Sequence, residues 1–205
     1  MKRRLLITDG IAIPKSGDYS FSIVMKKECI IEDVTSLLQS EKLECNDIVL
    51  VNVGSYNISA KHCGWDHKLI IGKDACELIE DIVNQFKNHL EAIVKHAAKR
   101  QFKVIFCGLV PLPDEQDYSS APKERKKLAD MLSRLFVRCN QEIGKVNGEN
   151  TTTLCLEKYC SASGSKRYVS GQIKIKNSYY DNGELNQERK KHLILIISDF
   201  IKKLK

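Results

Sequence analysis

Short apolar runs alternate with longer stretches of mixed polarity along this chain of 205 residues. Runs rich in Val, Leu and Ile predict strands that are buried on both faces of a sheet. The segment 19–25 differs, because apolar and polar residues alternate there and predict a strand with two unlike faces. The predicted strands are 4–8, 19–25, 47–54, 102–110 and 151–156.

Between the strands, apolar residues recur every three or four positions, which is the period of an amphipathic helix. The clearest case is 75–100, and a shorter helix is predicted at 32–41. Pro122 is placed to open another helix, because its missing N–H is not needed in a first turn. Asn186 is a candidate cap for a final helix. The buried stripe expected on that helix is Leu193, Ile197, Phe200 and Leu204.

Strands that alternate with helices of about 20 residues predict crossover connections and a parallel α/β sheet. No internal repeat or low-complexity segment interrupts the series, so we expect residues 1–205 to form a single domain. Functional sites in such sheets lie beyond the carboxyl ends of the strands. The segments expected at that edge are 9–17, 54–72, 108–118 and the loop before Asp181.

The composition is typical of a globular protein, with 42% hydrophobic and 29% charged residues. No apolar run approaches the roughly 18 residues of a membrane span, and the first apolar run is too short for a secretion signal. The eight cysteines form no Cys-x-x-Cys pair, which favours reduced thiols in the cytosol or nucleus. His62, Cys63, His67 and Cys76 fit either ordinary loop side chains or a zinc site of unfamiliar spacing. We expect neither a metal nor a cofactor.

The net charge of +7 is distributed unevenly. Residues 1–100 contain 14 Lys or Arg and 14 Asp or Glu, whereas residues 101–205 contain 19 and 12. No acidic residue occurs from Lys158 to Tyr180. A positive surface confined to one part of a domain is typical of proteins that bind polyanions.

The acid-free segment also carries Tyr159, Tyr168, Tyr179 and Tyr180. Cations hold phosphates while aromatic rings stack on unpaired bases, which is the combination found in proteins that bind single-stranded RNA. A solvated lysine-rich face with tyrosines in the core has the same composition, so both interpretations stay open. The residues predicted to contact RNA are Lys158, Lys166, Arg167, Lys174, Lys176, Arg189, Lys190, Arg3 and Arg4.

Four stretches together resemble the SGNH, or GDSL-like, hydrolase superfamily. They are LLITDG at the first strand, VLVNVGSYNIS at the third, VIFCGLVPLP at the fourth and YYDNGELN before the last helix. The likeness spans almost the whole chain. It implies a three-layer α/β/α sandwich with a five-stranded, flavodoxin-like parallel sheet, the scaffold of a serine hydrolase.

The residues at the catalytic positions of the superfamily depart from its pattern. The nucleophilic Ser matches Gly10, and the Asp and His of the Asp-x-x-His pair match Asp181 and Glu184. Gly54 matches the Gly of the oxyanion loop, and Tyr56 takes the place of its Asn unless the loop shifts by one residue. A carboxyl group with an ordinary pKa of about 4.3 is a poor base at neutral pH, where an imidazole near about 6.5 works. The resemblance therefore implies a hydrolase scaffold that is not an enzyme.

An active esterase with a displaced nucleophile is one alternative. Its nucleophile would be Ser16, Ser55 or Ser59, and its base would be His62 or His67. The other interpretation of these five residues is that they are ordinary polar loop residues. Asp181 and Glu184 have a structural interpretation too, as a turn whose negative charge is favoured near the start of the last helix.

Within the superfamily, the basic and catalytically degenerate chain is similar to the OSK domains, which lack the catalytic residues and bind mRNA. The similarity implies binding to mRNA, through 3′ untranslated regions, in cytoplasmic germ granules. It implies granule proteins as further partners, no membrane, and a preceding portion of the protein with a LOTUS domain. A protein-interaction scaffold is the remaining alternative.

Overall fold

The computed structural model describes residues 4–9, 22–25, 29–65, 74–110, 123–146, 148–156, 159, 168–169, 172–173, 180–181 and 184–203. Its longer strands are β1 Arg4–Thr8, β2 Ser22–Met25, β3 Ile48–Asn52, β4 Lys103–Cys107 and β5 Thr151–Leu154. Four strands of two residues follow, β6 Tyr168–Val169, β7 Gln172–Ile173, β8 Tyr180–Asp181 and β9 Glu184–Leu185. The helices are α1 Ile31–Ser40, α2 Ala60–Cys63, α3 Ala75–Arg100, α4 Lys123–Lys145 and α5 Gln187–Lys203, and a 3-10 turn covers Tyr56–Ile58.

The five longer strands form one parallel sheet in the order β2-β1-β3-β4-β5. The order reverses after β1, because the chain first steps outward to β2 and then returns past β1 to β3. At such a reversal the connections from β1 and β3 leave toward opposite sides of the sheet, and a crevice opens beyond the carboxyl ends of these strands. The candidate site is therefore expected beyond Thr8 and Asn52, which are paired in the sheet.

Helices cover both faces of the sheet. Val49 and Val104 pack with α1, α3 and α4 in one core cluster, whereas their neighbours Leu50 and Ile105 pack with α5 on the other face. The three connections from β2 to β5 all step in the same direction across the sheet, so right-handed crossovers place α1, α3 and α4 together. The chain thus forms the three-layer α/β/α sandwich that the sequence predicted.

The hydrophobic pattern located the periodic elements well. α3 has the predicted bounds, Ala75–Arg100, and Asp74 caps it by accepting a hydrogen bond at 2.7 Å from the backbone N–H of Cys76. Predicted strands were too long at their ends, since β4 stops at Cys107 while burial continues to Val110. The apolar pattern of a sequence follows burial, and here the buried residues extend beyond the last hydrogen-bonded pair of the strand.

The predicted stripe of the last helix was partly wrong. Leu193, Ile197 and Ile201 are buried against the sheet, whereas Phe200 is half-buried and Leu204 lies outside the described residues. Five consecutive apolar residues at 193–197 leave no unique face in the sequence. Packing against the sheet, rather than helical period alone, selects the buried stripe.

The seven cysteines among the described residues are thiols that form no disulfide with one another. Burial raises the pKa of Cys107 to about 12 and also raises the pKa of Cys139. These two thiols are therefore protonated at neutral pH and act as small apolar core residues. Among the described helices, none combines the length and apolar content required to cross a membrane.

Candidate functional site

The loops that leave β1 and β3 lie side by side at the carboxyl edge of the sheet. Asp9 follows β1, and the residue is 6% exposed. Its backbone N–H donates to the carbonyl oxygen of Asn52 at 3.2 Å, and its Oδ2 accepts from the backbone N–H of Ser55 at 3.3 Å. This buried carboxylate therefore holds the loop after β3 against the end of β1.

Gly54 gives the loop after β3 a conformation that other residues rarely adopt. Its φ is +127°, and a Cβ built on it would lie 2.9 Å from Cδ2 of Leu109 and 3.0 Å from Cε2 of Phe86. Both neighbours are buried. Glycine is required here on both conformational and steric grounds.

Asn57 uses its side-chain amide to cap α1. Its Oδ1 accepts from the backbone N–H of Ile31 at 2.8 Å, and its Nδ2 donates to Oε2 of Glu32 at 2.8 Å. The residue is only 2% exposed. The oxygen and the nitrogen of this amide therefore both bind the start of α1. The sequence did not indicate this role, because 26 residues separate Asn57 from Ile31.

The hydroxyl of Ser59 has a structural role in the same loop. It donates to the carbonyl oxygen of Tyr56 at 2.8 Å and accepts from the backbone N–H of His62 at 3.1 Å. Ser55 is buried, whereas the side chain of His62 is exposed. Ser16 and His67, the other members of the displaced-nucleophile alternative, lie outside the described residues, as does Gly10.

A second amide fixes the loop after β4. Oδ1 of Asn140, on α4, accepts from the backbone N–H of Leu109 at 2.8 Å. Asn140 interrupts the apolar stripe of α4 between Cys139 and Ile143, and a polar residue next to a buried stripe is the sequence signal that would have found it. The loop after β3 is thus held by the carboxylate of Asp9, and the loop after β4 is held by the amide of Asn140.

Asp181 and Glu184 belong to a small hairpin that precedes α5. β8 and β9 are antiparallel, and Asp181 pairs with Glu184 across the turn. The helix itself begins at Gln187, and Oδ1 of Asn186 accepts from the backbone N–H of Arg189 at 2.9 Å. The predicted cap at Asn186 is confirmed.

The residues predicted to contact RNA fall into two groups. Arg4, Arg189 and Lys190 are described, whereas Lys158, Lys166, Arg167, Lys174, Lys176 and Arg3 lie outside the described residues. Lys190 is 5% exposed, because it continues the sheet-facing stripe of α5 one turn before Leu193. The prediction that Lys190 contacts RNA from the surface is therefore wrong, because the residue is buried in the fold. Arg189 is half-buried.

Arg4 and the start of α5 lie at opposite edges of the sheet. Arg4 is the first residue of β1, at the amino edge, about 13 Å from Thr8 at roughly 3.3 Å per residue. Tyr159 follows the carboxyl end of β5, and its ring lies 6.4 Å from the ring of His192 in the first half of α5. Arg4 is therefore not part of one surface with the first turns of α5.

Within the basic segment before α5, the described strand β7 contacts α4. β6 and β7 pair as an antiparallel hairpin, with Tyr168 opposite Ile173. Arg167 precedes this hairpin in the sequence and Lys174 follows it. Across the described ranges, no three His, Cys, Asp or Glu side chains group as metal ligands.

No protein-family model matches the sequence, and no curated protein matches it either. Solved structures do match. A GDSL-like lipase from Bacteroides thetaiotaomicron is similar with a TM-score of 0.66 and 9% identity, over 100% of this chain and 89% of that one. An acylhydrolase from Bacteroides fragilis is similar with a TM-score of 0.57 and 12% identity, over 99% of this chain and 88% of that one. The OSK domain of Drosophila Oskar is similar with a TM-score of 0.50 and 13% identity, over 95% of this chain and 86% of that one.

These matches extend over nearly the whole chain, and their identities are too low to carry more than the architecture. They include structures named as hydrolases and the OSK domain. The chain therefore has the SGNH hydrolase-like fold that the four sequence stretches predicted.

Proposed function

We propose that this domain binds single-stranded RNA through a basic surface at the carboxyl side of the sheet and is not a serine hydrolase. The observation that carries the proposal is the excess of positive charge in residues 101–205, 19 Lys or Arg against 12 Asp or Glu. The acid-free segment around the β6–β7 hairpin supplies most of the contacts, and α4 supports that hairpin. The similarity to OSK domains favours mRNA in cytoplasmic germ granules as the target, with a role in germ-plasm assembly and mRNA localisation.

The geometry of the loops supports a scaffold without acyl-transfer chemistry. Acyl transfer needs a nucleophile beside a base and free donors for an oxyanion. The amide of Asn57 is engaged with α1, and the hydroxyl of Ser59 donates to a backbone carbonyl instead of an imidazole. In the sequence, Gly10 and Glu184 stand where the superfamily places its Ser and His.

RNA binding is tested by fluorescence anisotropy with a labelled, unstructured RNA of about 20 nucleotides. If the five cations from Lys158 to Lys176 each contact a phosphate, affinity falls about 100-fold between about 50 and 200 mM salt. The double variant Arg167→Glu/Lys174→Glu is expected to bind at least about tenfold more weakly and to reduce the salt slope by about 1.4. The matched control is Lys95→Glu/Lys99→Glu, which changes the charge equally at the amino edge and should alter affinity less than about twofold.

Two results would contradict RNA binding at this surface. One is an affinity that does not depend on salt, and the other is an equal loss of affinity in the two double variants. The second result would assign binding to net charge rather than to the segment around β6 and β7.

Hydrolase activity is tested separately with a fluorophosphonate that labels activated serines. We expect no labelling, because the hydroxyl of Ser59 donates to the carbonyl oxygen of Tyr56 rather than to an imidazole. Mass spectrometry of the treated protein is the measurement, with a known serine esterase as the positive control. Stoichiometric modification of Ser16, Ser55 or Ser59 would establish the displaced-nucleophile alternative.

A further inference from the structure

A groove separates the C-terminal halves of α3 and α4 at the amino edge of the sheet. α3 ends just before β4 and α4 ends just before β5, so both helix ends lie where these parallel strands begin. The groove has a volume of about 270 Å³. The lining residues are Lys87, Leu90, Glu91, Val94, Lys95, Glu142, Lys145 and Val146.

The floor of the groove is aliphatic. Leu90 is part of the buried core, and the half-buried Val94 and Val146 pack against the same core cluster. The volume is below the roughly 300–1,000 Å³ of pockets that enclose a drug-sized ligand. It therefore suits one apolar side chain of a larger partner better than a whole small molecule.

The rim of the groove carries a positive charge that its own acidic residues do not neutralise. Nζ of Lys145 lies 2.6 Å from Oε1 of Glu142, and Nζ of Lys87 lies 3.9 Å from Oε1 of Glu91. Each carboxylate is thus already associated with a lysine. Lys95 is exposed and has no ion pair with any described residue. A carboxylate on a ligand would have Lys95 as its first partner.

The positive charge continues along the end of α3. No Asp or Glu occurs from Ala92 to Pro113, and Lys99, Arg100 and Lys103 follow Lys95 in this stretch. Glu149, on the turn beside the groove, adds one negative charge. The pKa of His96 is lowered, first by burial and then by the charges of Arg100 and Lys99. The end of α3 therefore has a positive local potential.

We propose that this groove binds a short acidic segment of a partner protein, with one apolar side chain on the aliphatic floor and carboxylates on Lys95 and the cations after it. An acidic peptide fits better than RNA, because the lining contains no aromatic ring on which a base could stack. The surface is independent of the proposed RNA site, which lies at the other edge of the sheet. The small groove indicates a weak, transient contact.

The test uses the full chain and a fluorescein-labelled peptide of about nine residues, with one central Leu among Asp and Glu residues. Replacing that Leu by Ser is expected to weaken binding about tenfold or more, because burial of the Leu side chain is lost. Lys95→Glu is expected to weaken it about five- to tenfold. The control is Lys127→Glu, which makes the same charge change at an exposed position near the start of α4, toward the other edge of the sheet. It should alter peptide affinity less than about twofold. Amide chemical shifts should change at Val94 and Val146.

Several outcomes would overturn the proposal. No binding at peptide concentrations of about 1 mM would exclude a docking site of useful affinity. Equal losses for Lys95→Glu and Lys127→Glu, or equal binding of the Leu and Ser peptides, would reduce the interaction to net charge. Loss of RNA affinity in Lys95→Glu with peptide affinity unchanged would assign the surface to nucleic acid. Thermal unfolding of both variants should match that of the original chain, since both lysines are exposed.

Discussion

Replacing Gly54 by Ala is expected to destabilise the protein by about 3 kcal/mol, through backbone strain at positive φ and overpacking of the loop. The added methyl group meets Leu109 and Phe86, whose side chains are buried and have little freedom to move. A loss of this size is a large part of the about 5–15 kcal/mol that stabilises an ordinary domain. It corresponds to a fall in the unfolding midpoint of about 6–12 °C for a chain of this length. Urea unfolding followed by circular dichroism measures the loss in the free energy of unfolding.

Gly64→Ala is the matched control. Gly64 also has a positive φ, +63°, but a Cβ there would meet nothing within 4 Å. We expect a loss of about 1–2 kcal/mol from backbone conformation alone. If the two substitutions cost the same, the close contacts with Leu109 and Phe86 contribute nothing, and the steric part of the explanation is wrong.

Asn57→Asp is expected to cost about 2–4 kcal/mol at neutral pH. The new carboxylate can still accept from the backbone N–H of Ile31, but it replaces the donor to Glu32 with a second negative charge. Like charges at hydrogen-bonding distance raise the pKa of one carboxyl group in the folded state. Because a raised pKa favours protonation in the folded protein, the loss should be largest at neutral pH and shrink as the pH falls. Unfolding at several pH values measures this.

A second substitution separates this electrostatic effect from simple loss of packing. Glu32→Gln supplies an amide that can donate to the new carboxylate, so the double variant should recover most of the lost stability. The coupling between the two positions is expected to be about 1–3 kcal/mol. Glu32→Gln alone should have a small effect, since its amide oxygen can still accept from Asn57. Additive losses in the double variant would mean that Asn57 and Glu32 do not interact as the structure describes.

These two positions bear on function because they set the shape of the loop after β3. The sequence resemblance implies part of an oxyanion site in this loop. In this chain Asn57 binds α1 and Asp9 binds Ser55, so described polar groups serve the stability of the loop. The proposed functions therefore use surfaces outside it, the basic segment near α4 and the groove at the end of α3.

The sequence determined the architecture because burial leaves a periodic pattern. The apolar runs of β1, β3 and β4 and the long amphipathic period of α3 were sufficient to predict a parallel sheet covered by helices. Asn186 was recognised as a helix cap because the preference for Asn at that position depends on local backbone geometry alone. Local rules of this kind act within a few residues and need no tertiary information.

Tertiary structure decided the role of each polar side chain. Lys190 was predicted to be a surface cation, but the packing of α5 places it on the buried, sheet-facing stripe. Arg4 was predicted as a contact in the same set, but it lies at the amino edge, opposite the start of α5. The amide of Asn57 was assigned by a contact across 26 residues, and the groove beside Lys95 exists only because α3 and α4 end side by side. Hydrophobic period records whether a residue is buried, but hydrogen-bond partners and surface charge depend on which distant segments the fold brings together.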